Sequence, residues 1–351
     1  MKRILAIALA CLVIIPVFGL LTGCNQNKVV LNIFNWGDYI NNDLITKFEK
    51  ETGIKINYEM FDTNETMLAK LETGGTDYDI IFPSDYIVEE LIIRDMLMEL
   101  DFNNIPNFKY VDNRFRNLAY DPLNKYSVPY FWGTLGILYN TDVVKEKVDS
   151  TSILFDEKHA GQIMMLDSMR DSIGITLQML GYSTNSTNPA EINEAKELLI
   201  KQKPIINGYY VDEVVDMMIN GDVAIALNWS GAAMEIYWQG VENIEYVIPR
   251  EGTNMWVDCM VIPKTCRHKK EAEMFINFML DPDNAFVNSE YVGYSSPVYE
   301  VTARMKEQYP EILEFEAYMP SDEALERCEF LINVGEAKAL YNQAWLEIQA
   351  N

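Results

Sequence analysis

Rings, carboxylates and hydroxyls recur together in six short stretches of this chain: Asn35-Trp36-Gly37-Asp38-Tyr39, Pro83-Ser84-Asp85-Tyr86, Asp167-Ser168-Met169-Arg170-Asp171, Asn228-Trp229-Ser230-Gly231, Met255-Trp256-Val257-Asp258 and Gly293-Tyr294-Ser295-Ser296-Pro297. The face of an indole or phenol ring attracts a cation, and an ionised Asp holds one by charge and hydrogen bonding. A ligand made of methylene stretches with ammonium ends would use both residue types. Ring faces would cover its CH₂ groups, and Asp would take its charged ends. Singly, each residue has a plainer reading: Trp36, Trp229 and Trp256 as core aromatics, and Asp38, Ser84 and Asp171 as caps of turns and helices. Their recurrence at successive strand ends argues for a site.

Histidine chemistry has few candidates. The chain has two histidines, His159 and His268, and the second lies in the basic turn Lys264–Lys270. There is no Gly-x-Ser-x-Gly, no phosphate-cradling glycine loop and no His-Glu-x-x-His. Of the five cysteines, Cys11 and Cys24 lie near the start; of the other three, Cys259, Cys266 and Cys328, only Cys259 and Cys266 lie close in sequence, and none stands at zinc-ligand spacing. No metal site and no cofactor are expected. The pairing of Cys259 with Cys266 stays open. The net charge of −25 repels nucleic acid and attracts cations, although acidity also serves plain solubility.

The elements that must position the six stretches alternate in type. Val29–Phe34 reads as a strand, Asn41–Thr52 as a helix stopped by Gly53, Ile54–Met60 as a strand, Thr63–Leu71 as a capped helix and Ile80–Phe82 as a buried strand ending at Pro83. Extended segments follow at Tyr126–Tyr130 and Thr134–Tyr139. A second series places strands at Gln162–Leu166, Val223–Leu227 and Met260–Ile262. Helices are expected at Ser172–Leu180, Pro189–Lys201, Val211–Ile219, Lys269–Leu280 and Val334–Gln349. This pattern predicts an α/β chain of two lobes, each a mixed, mainly parallel sheet flanked by helices. Ligands of such sheets bind beyond the carboxyl ends of strands and between domains, where the six stretches fall.

The chain opens with Met1-Lys2-Arg3, an apolar run from Ile4 to Leu20 interrupted by Pro16, and Leu21-Thr22-Gly23-Cys24. The run is shorter than the roughly 20 residues that span hydrocarbon. The layout resembles a bacterial lipoprotein signal peptide. That resemblance implies cleavage of residues 1–23, lipid on Cys24, and a tether (24–28) holding the rest outside the cytoplasm, on the outer face of the membrane or its periplasmic side.

The stretches above, with Asn64-Glu65-Thr66-Met67, Tyr130-Phe131-Trp132-Gly133-Thr134 and Leu180-Gly181-Tyr182-Ser183, resemble the polyamine-binding (spermidine/putrescine) solute receptors of ABC transporters, within the type II periplasmic-binding-protein superfamily. The resemblance runs from about Val30 to the terminal helix. It implies a polyamine clamped between two closing lobes and delivered to a membrane permease driven by a separate cytoplasmic ATPase, with no chemistry done by this chain. It implies an aromatic cage of Trp36, Tyr39, Tyr86, Trp229, Trp256 and Tyr294, with Asp171 and Asp258 as main ammonium partners, Asp38 nearby and a hydroxyl from Ser84. The receptor would be a monomer that touches the membrane only through its lipid. Residues 29–134 with about 259–300 would form the N-terminal lobe, and 135–258 with about 301–351 the C-terminal lobe and terminal helices.

Two positions depart from the family pattern: Ser168 stands where an additional acid is frequent, and Leu331 where a glutamine would contact the ligand. They leave the choice between spermidine and putrescine open. Two other readings are a type II receptor for another solute (a sugar, ferric ion or thiamine) and, far behind, a secreted hydrolase using Asp171 and Asp258 as paired carboxylates.

Overall fold

The computed structural model describes residues 29–74 and 77–351. The leader and Cys24 lie outside them. Nine strands occur among the described residues: β1 Val30–Trp36, β2 Lys55–Phe61, β3 Ile80–Ile81, β4 Ser127–Asn140, β5 Ile163–Leu166, β6 Ile206–Tyr210, β7 Ile225–Trp229, β8 Ile244–Val247 and β9 Met255–Val261. They run in the order β2-β1-β3-β9-β4-β7-β5-β6, with β8 also on β4. The result is a two-lobed α/β fold. In one half β2, β1 and β3 are parallel; in the other β6, β5 and β7 are parallel. Antiparallel pairings of β9 and β4 join them.

Local signals explain the first elements. Asn41 caps the helix Asn42–Thr52 by accepting from Asp43 N, Leu44 and Phe48 are buried on one face, and Gly53 ends it with φ 75. Thr63 and Thr66 form a capping box on the helix Asn64–Thr73. Asn188 caps Pro189–Gln202, with proline in the first turn.

The two extended segments Tyr126–Tyr130 and Thr134–Tyr139 are one strand, β4. Pro129 and Gly133 break its pattern in the sequence, yet Pro129 sits at a bulge where the register shifts before Phe131. From Ser127 to Thr134 this strand pairs with β9, and from Leu135 to Tyr139 with β7. One continuous strand therefore passes from one half of the molecule to the other.

Alternate residues of the second half face two cores. Ile137, Ile163, Met165, Ile225 and Leu227 pack with Ile173, Ile192, Leu199, Tyr341 and Ile348 of the helices Met169–Met179, Pro189–Gln202 and Lys338–Ala350. Leu138, Met164 and Ala226 face the larger core, which also holds Ile33, Ile80, Val257 and Val261. The larger core draws on both halves and so does not mark the expected lobe division at residue 301. Val301, Met305, Ile312 and Tyr318 join the larger core, and the chain enters the second core at Val334. Tyr309 meets Trp238 edge to face and Phe315 lies tilted against Tyr237, so this segment packs on the stretch 135–258 with which the expected division groups it. No helix among the described residues is long and apolar enough to cross a membrane.

Candidate ligand cleft

Four strand ends bring candidate site side chains to the same place. β1 ends at Trp36; β3 leads through Pro83 to Ser84; β7 ends at Trp229; and Met169–Met179 follows β5 with Asp171 in its first turn. Met255-Trp256-Val257-Asp258 is part of β9 and not the loop before a strand that the sequence suggested. Between these elements lies a cavity of about 840 Å³, part of it open to solvent.

Nine of the ten expected ligand residues line it: Trp36, Tyr39, Ser84, Tyr86, Asp171, Trp229, Trp256, Asp258 and Tyr294. Asp38 does not. It is exposed, in a left-handed turn at φ 44 that separates it from its buried neighbour Tyr39. Both departures from the family pattern, Ser168 and Leu331, are also on the wall.

The rings are held edge to face. Trp36 and Trp229 approach at 6.2 Å, Trp256 and Tyr294 at 4.9 Å, and Tyr39 and Tyr294 at 5.6 Å between centroids. Trp36 Nε1 donates to Phe82 O at 2.8 Å, which fixes one indole to the neighbouring strand end.

The two carboxylates are buried and neither forms an ion pair among the described residues. Asp258 accepts from Tyr39 Oη and Ser84 Oγ, each at 2.6 Å. Burial pushes its pKa up to about 7, against those hydrogen bonds and with a contribution from Asp171. Asp171 accepts from Ser168 Oγ at 2.7 Å and Asn254 Nδ2 at 2.9 Å, and burial raises it above the usual carboxylate range. A cation arriving between them relieves both.

Several wall residues carried no assigned role in the sequence. Asp85 is buried, accepts from Tyr86 N at 2.8 Å, and is pushed well above its ordinary pKa by burial. Asn64 donates to Ser84 Oγ at 2.9 Å, and Glu65 accepts from Tyr86 Oη at 3.1 Å. Asp62 and Asp212 add exposed negative charge on the wall. Asp85 and Glu65 stand inside motifs already singled out. Asn254 and Asp212 give no local signal, because only tertiary contact brings them to the cleft.

The family of bacterial extracellular solute-binding proteins matches residues 43–314. The spermidine/putrescine-binding periplasmic protein of Salmonella typhimurium is 34% identical over 322 residues, covering 91% of each chain. This chain belongs to the bacterial extracellular solute-binding proteins. Two solved structures of such proteins resemble it throughout. A Listeria monocytogenes protein named for spermidine/putrescine ABC transport is 43% identical, with a TM-score of 0.86 over 91% of this chain and 98% of that one. The TpPotD lipoprotein of Treponema pallidum is 30% identical, with a TM-score of 0.83 over 92% of this chain and 100% of that one.

Cys259, Cys266 and Cys328 are free thiols, so Cys259 and Cys266 do not pair. Cys259 Sγ lies 3.2 Å from Tyr120 Oη and Cys266 Sγ 3.3 Å from Asp79 Oδ1. Among the described residues, Glu146, Asp156 and His159 are grouped closely enough to hold a metal. Lys158 and His159 already contact Glu146 at 2.8 Å, and Asp156 caps the turn that follows it.

Proposed function

We propose that this protein is the extracytoplasmic receptor of an ABC importer, closing its two lobes on a polyamine, spermidine or putrescine, and presenting it to a membrane permease. The observation that carries the reading is a ring-walled cleft holding two buried carboxylates, Asp171 and Asp258, neither of them ion-paired among the described residues; the guanidinium of Arg170, next to Asp171 in the chain, bonds Ile332 O and Asn185 Oδ1 instead. Burying an ionised carboxylate is unfavourable unless a cation or hydrogen bonds offset it. A flexible chain of methylenes with ammonium groups matches both the rings and the acids. A sugar fits the rings and can donate hydroxyls to the acids but leaves their charge unneutralised.

Hydrogen bonds to a charged group contribute about 1.5–3 kcal/mol each and a desolvated cation–π contact about 2 kcal/mol. Two carboxylates and two or three rings reach the roughly 8 kcal/mol of micromolar binding after the ordering losses of association. Hinge closure is the motion that gathers contacts from both halves. The lobes we assign are 29–134 with about 259–300, and 135–258 with about 301–351, including the terminal helices, with hinge strands at β4 and β9.

In this reading the chain performs no chemistry, acts as a monomer, and is held at the membrane by lipid on Cys24; the name of the Treponema relative as a lipoprotein supports the anchor. ATP hydrolysis belongs to a separate cytoplasmic subunit.

The test is isothermal titration of the soluble domain, stripped of ligand by unfolding and refolding, against spermidine, putrescine and a neutral sugar. Saturable micromolar or tighter binding of an amine, with the amine recovered unchanged, is expected. No heat with either amine sinks the proposal. Lipid labelling in cells, lost in Cys24→Ser, tests the anchor separately.

A further inference from the structure

One buried acceptor in the cleft has no donor. Asn254 is 4% exposed and lines the cavity; its Nδ2 donates to Asp171 Oδ1 at 2.9 Å, while its Oδ1 has no hydrogen-bond partner. An ionised Asp171 only accepts, so the amide must turn its NH₂ toward that carboxylate. The atom left over is then an acceptor.

Its position is fixed by the backbone around it. Leu135 N donates to Asn254 O at 2.9 Å, Glu329 N to Thr253 O at 2.9 Å, and Met255 N to Glu329 O at 3.0 Å. Asn254 thus sits in a short parallel bridge with Glu329, at the junction of β9 with the second half. On the far side of Asp171, Ser168 Oγ occupies Oδ2 at 2.7 Å. The other unpartnered polar atom on the wall, Trp256 Nε1, is a donor and offers an ammonium nothing.

We propose that Asn254 is a ligand-binding residue whose Oδ1 accepts an N–H from the ammonium that Asp171 neutralises. The inference rests on the polyamine reading and deepens it. An ammonium seated there gives one N–H to the carboxylate and a second to the amide oxygen. The station therefore selects primary and secondary amines, and it disfavours a nitrogen carrying a single N–H. Charge alone would not make that distinction, nor would ring faces, which tolerate methylated cations well.

The experiment compares two ligands on wild type, Asn254→Leu and the smaller Asn254→Ser, each checked for a wild-type melting transition. The ligands are putrescine and its tetramethylated form, which keeps one N–H at each end. Wild type is expected to favour putrescine. In the variants putrescine affinity falls by at least about tenfold, the scale of a lost hydrogen bond to a charged group. Tetramethylputrescine affinity moves less than about threefold, so the discrimination ratio collapses. A parallel fall for both ligands would show that Asn254 only positions Asp171, and would overturn the proposal while leaving the receptor reading intact. Failure of wild type to bind putrescine or spermidine at all would overturn both.

Discussion

Ser84 Oγ donates to Asp258 Oδ1 at 2.6 Å, and the two residues also form an antiparallel backbone bridge. Ser84 stands at the N-cap of the helix Asp85–Ile93 but makes no side-chain capping bond. A cap contributes about 1 kcal/mol, and a bond to a carboxylate about 1.5–3 kcal/mol, so the hydroxyl goes where it is worth more. It holds the acid's Oδ1 in place on the cleft wall. Asp258→Asn keeps the shape and removes the charge. Titration should show polyamine affinity reduced by ten- to a hundredfold, the range of a charge-assisted hydrogen bond. Wild-type affinity in Asp258→Asn would remove Asp258 from the site.

Polyamine affinity should depend on pH. In the empty cleft, burial pushes Asp258 up to about 7. A bound ammonium favours the carboxylate, so below pH 7 binding must displace a proton. Affinity is then flat above about pH 8 and weakens on acidification by up to tenfold per unit. The effect on stability has the opposite direction. An acid raised above its unfolded value of about 3.9 stabilises the empty fold fully below that value, and this contribution is lost as pH rises through 7. Ligand should therefore raise the melting temperature more at pH 8 than at pH 6. Ser84→Ala, which removes a bond that lowers the pKa, should move the break upward. Titrations in two buffers of different ionisation enthalpy count the protons; none released at pH 6 would defeat the argument.

The indole of Trp256 is placed by what is absent beside it. A Cβ built on Gly133 would lie 2.7 Å from Trp256 Cζ2 and from Ser230 Oγ. Gly133→Ala must therefore shift the ring or the serine. Trp256→Ala should weaken polyamine binding by about thirtyfold, the equivalent of a 2 kcal/mol cation–π contact. Gly133→Ala should weaken it in the same direction without touching any ligand contact directly. If Gly133→Ala binds as wild type does, the ligand does not read the ring's position.

The parts of the site set by local sequence were legible, and those set by long-range contact were not. Val30–Trp36 shows as a largely apolar run and Lys55–Phe61 as an alternation of polar and apolar residues, and the rule that ligands sit past strand ends leads directly to Trp36, Ser84, Asp171 and Trp229. Asp38 stands two residues from Trp36, but adjacency does not tell which side of a turn a side chain leaves, and a φ of 44 decides it. Asn254 meets Asp171 from 83 residues away, which no spacing within either stretch records. Pro129 hid the continuity of β4 because a bulge, invisible to propensity, accommodates it. The segment from Val301 to Tyr318 reads as an amphipathic run, and the particular partners it meets, Tyr237 and Trp238, are set by tertiary contact that no local pattern records.

Behind the cleft, Lys338 Nζ pairs with Glu90 Oε2 at 2.8 Å, and Asn333 N donates to Glu89 Oε2 at 2.9 Å. Glu89 and Glu90 lie on the helix Asp85–Ile93, which packs on β9; Lys338 opens the helix Lys338–Ala350 of the second core. The pair therefore joins the two halves without touching the cavity. Its partly exposed geometry limits its contribution to about 0.2–1 kcal/mol. Lys338→Ala should weaken polyamine affinity less than about fivefold, through faster ligand release and not slower capture. Screening shrinks a surface pair, so the variant and wild type should converge in about 0.5 M salt. Stopped-flow tryptophan fluorescence reads both rates. A release rate unchanged at low salt would mean that the pair does not hold the halves together around the ligand.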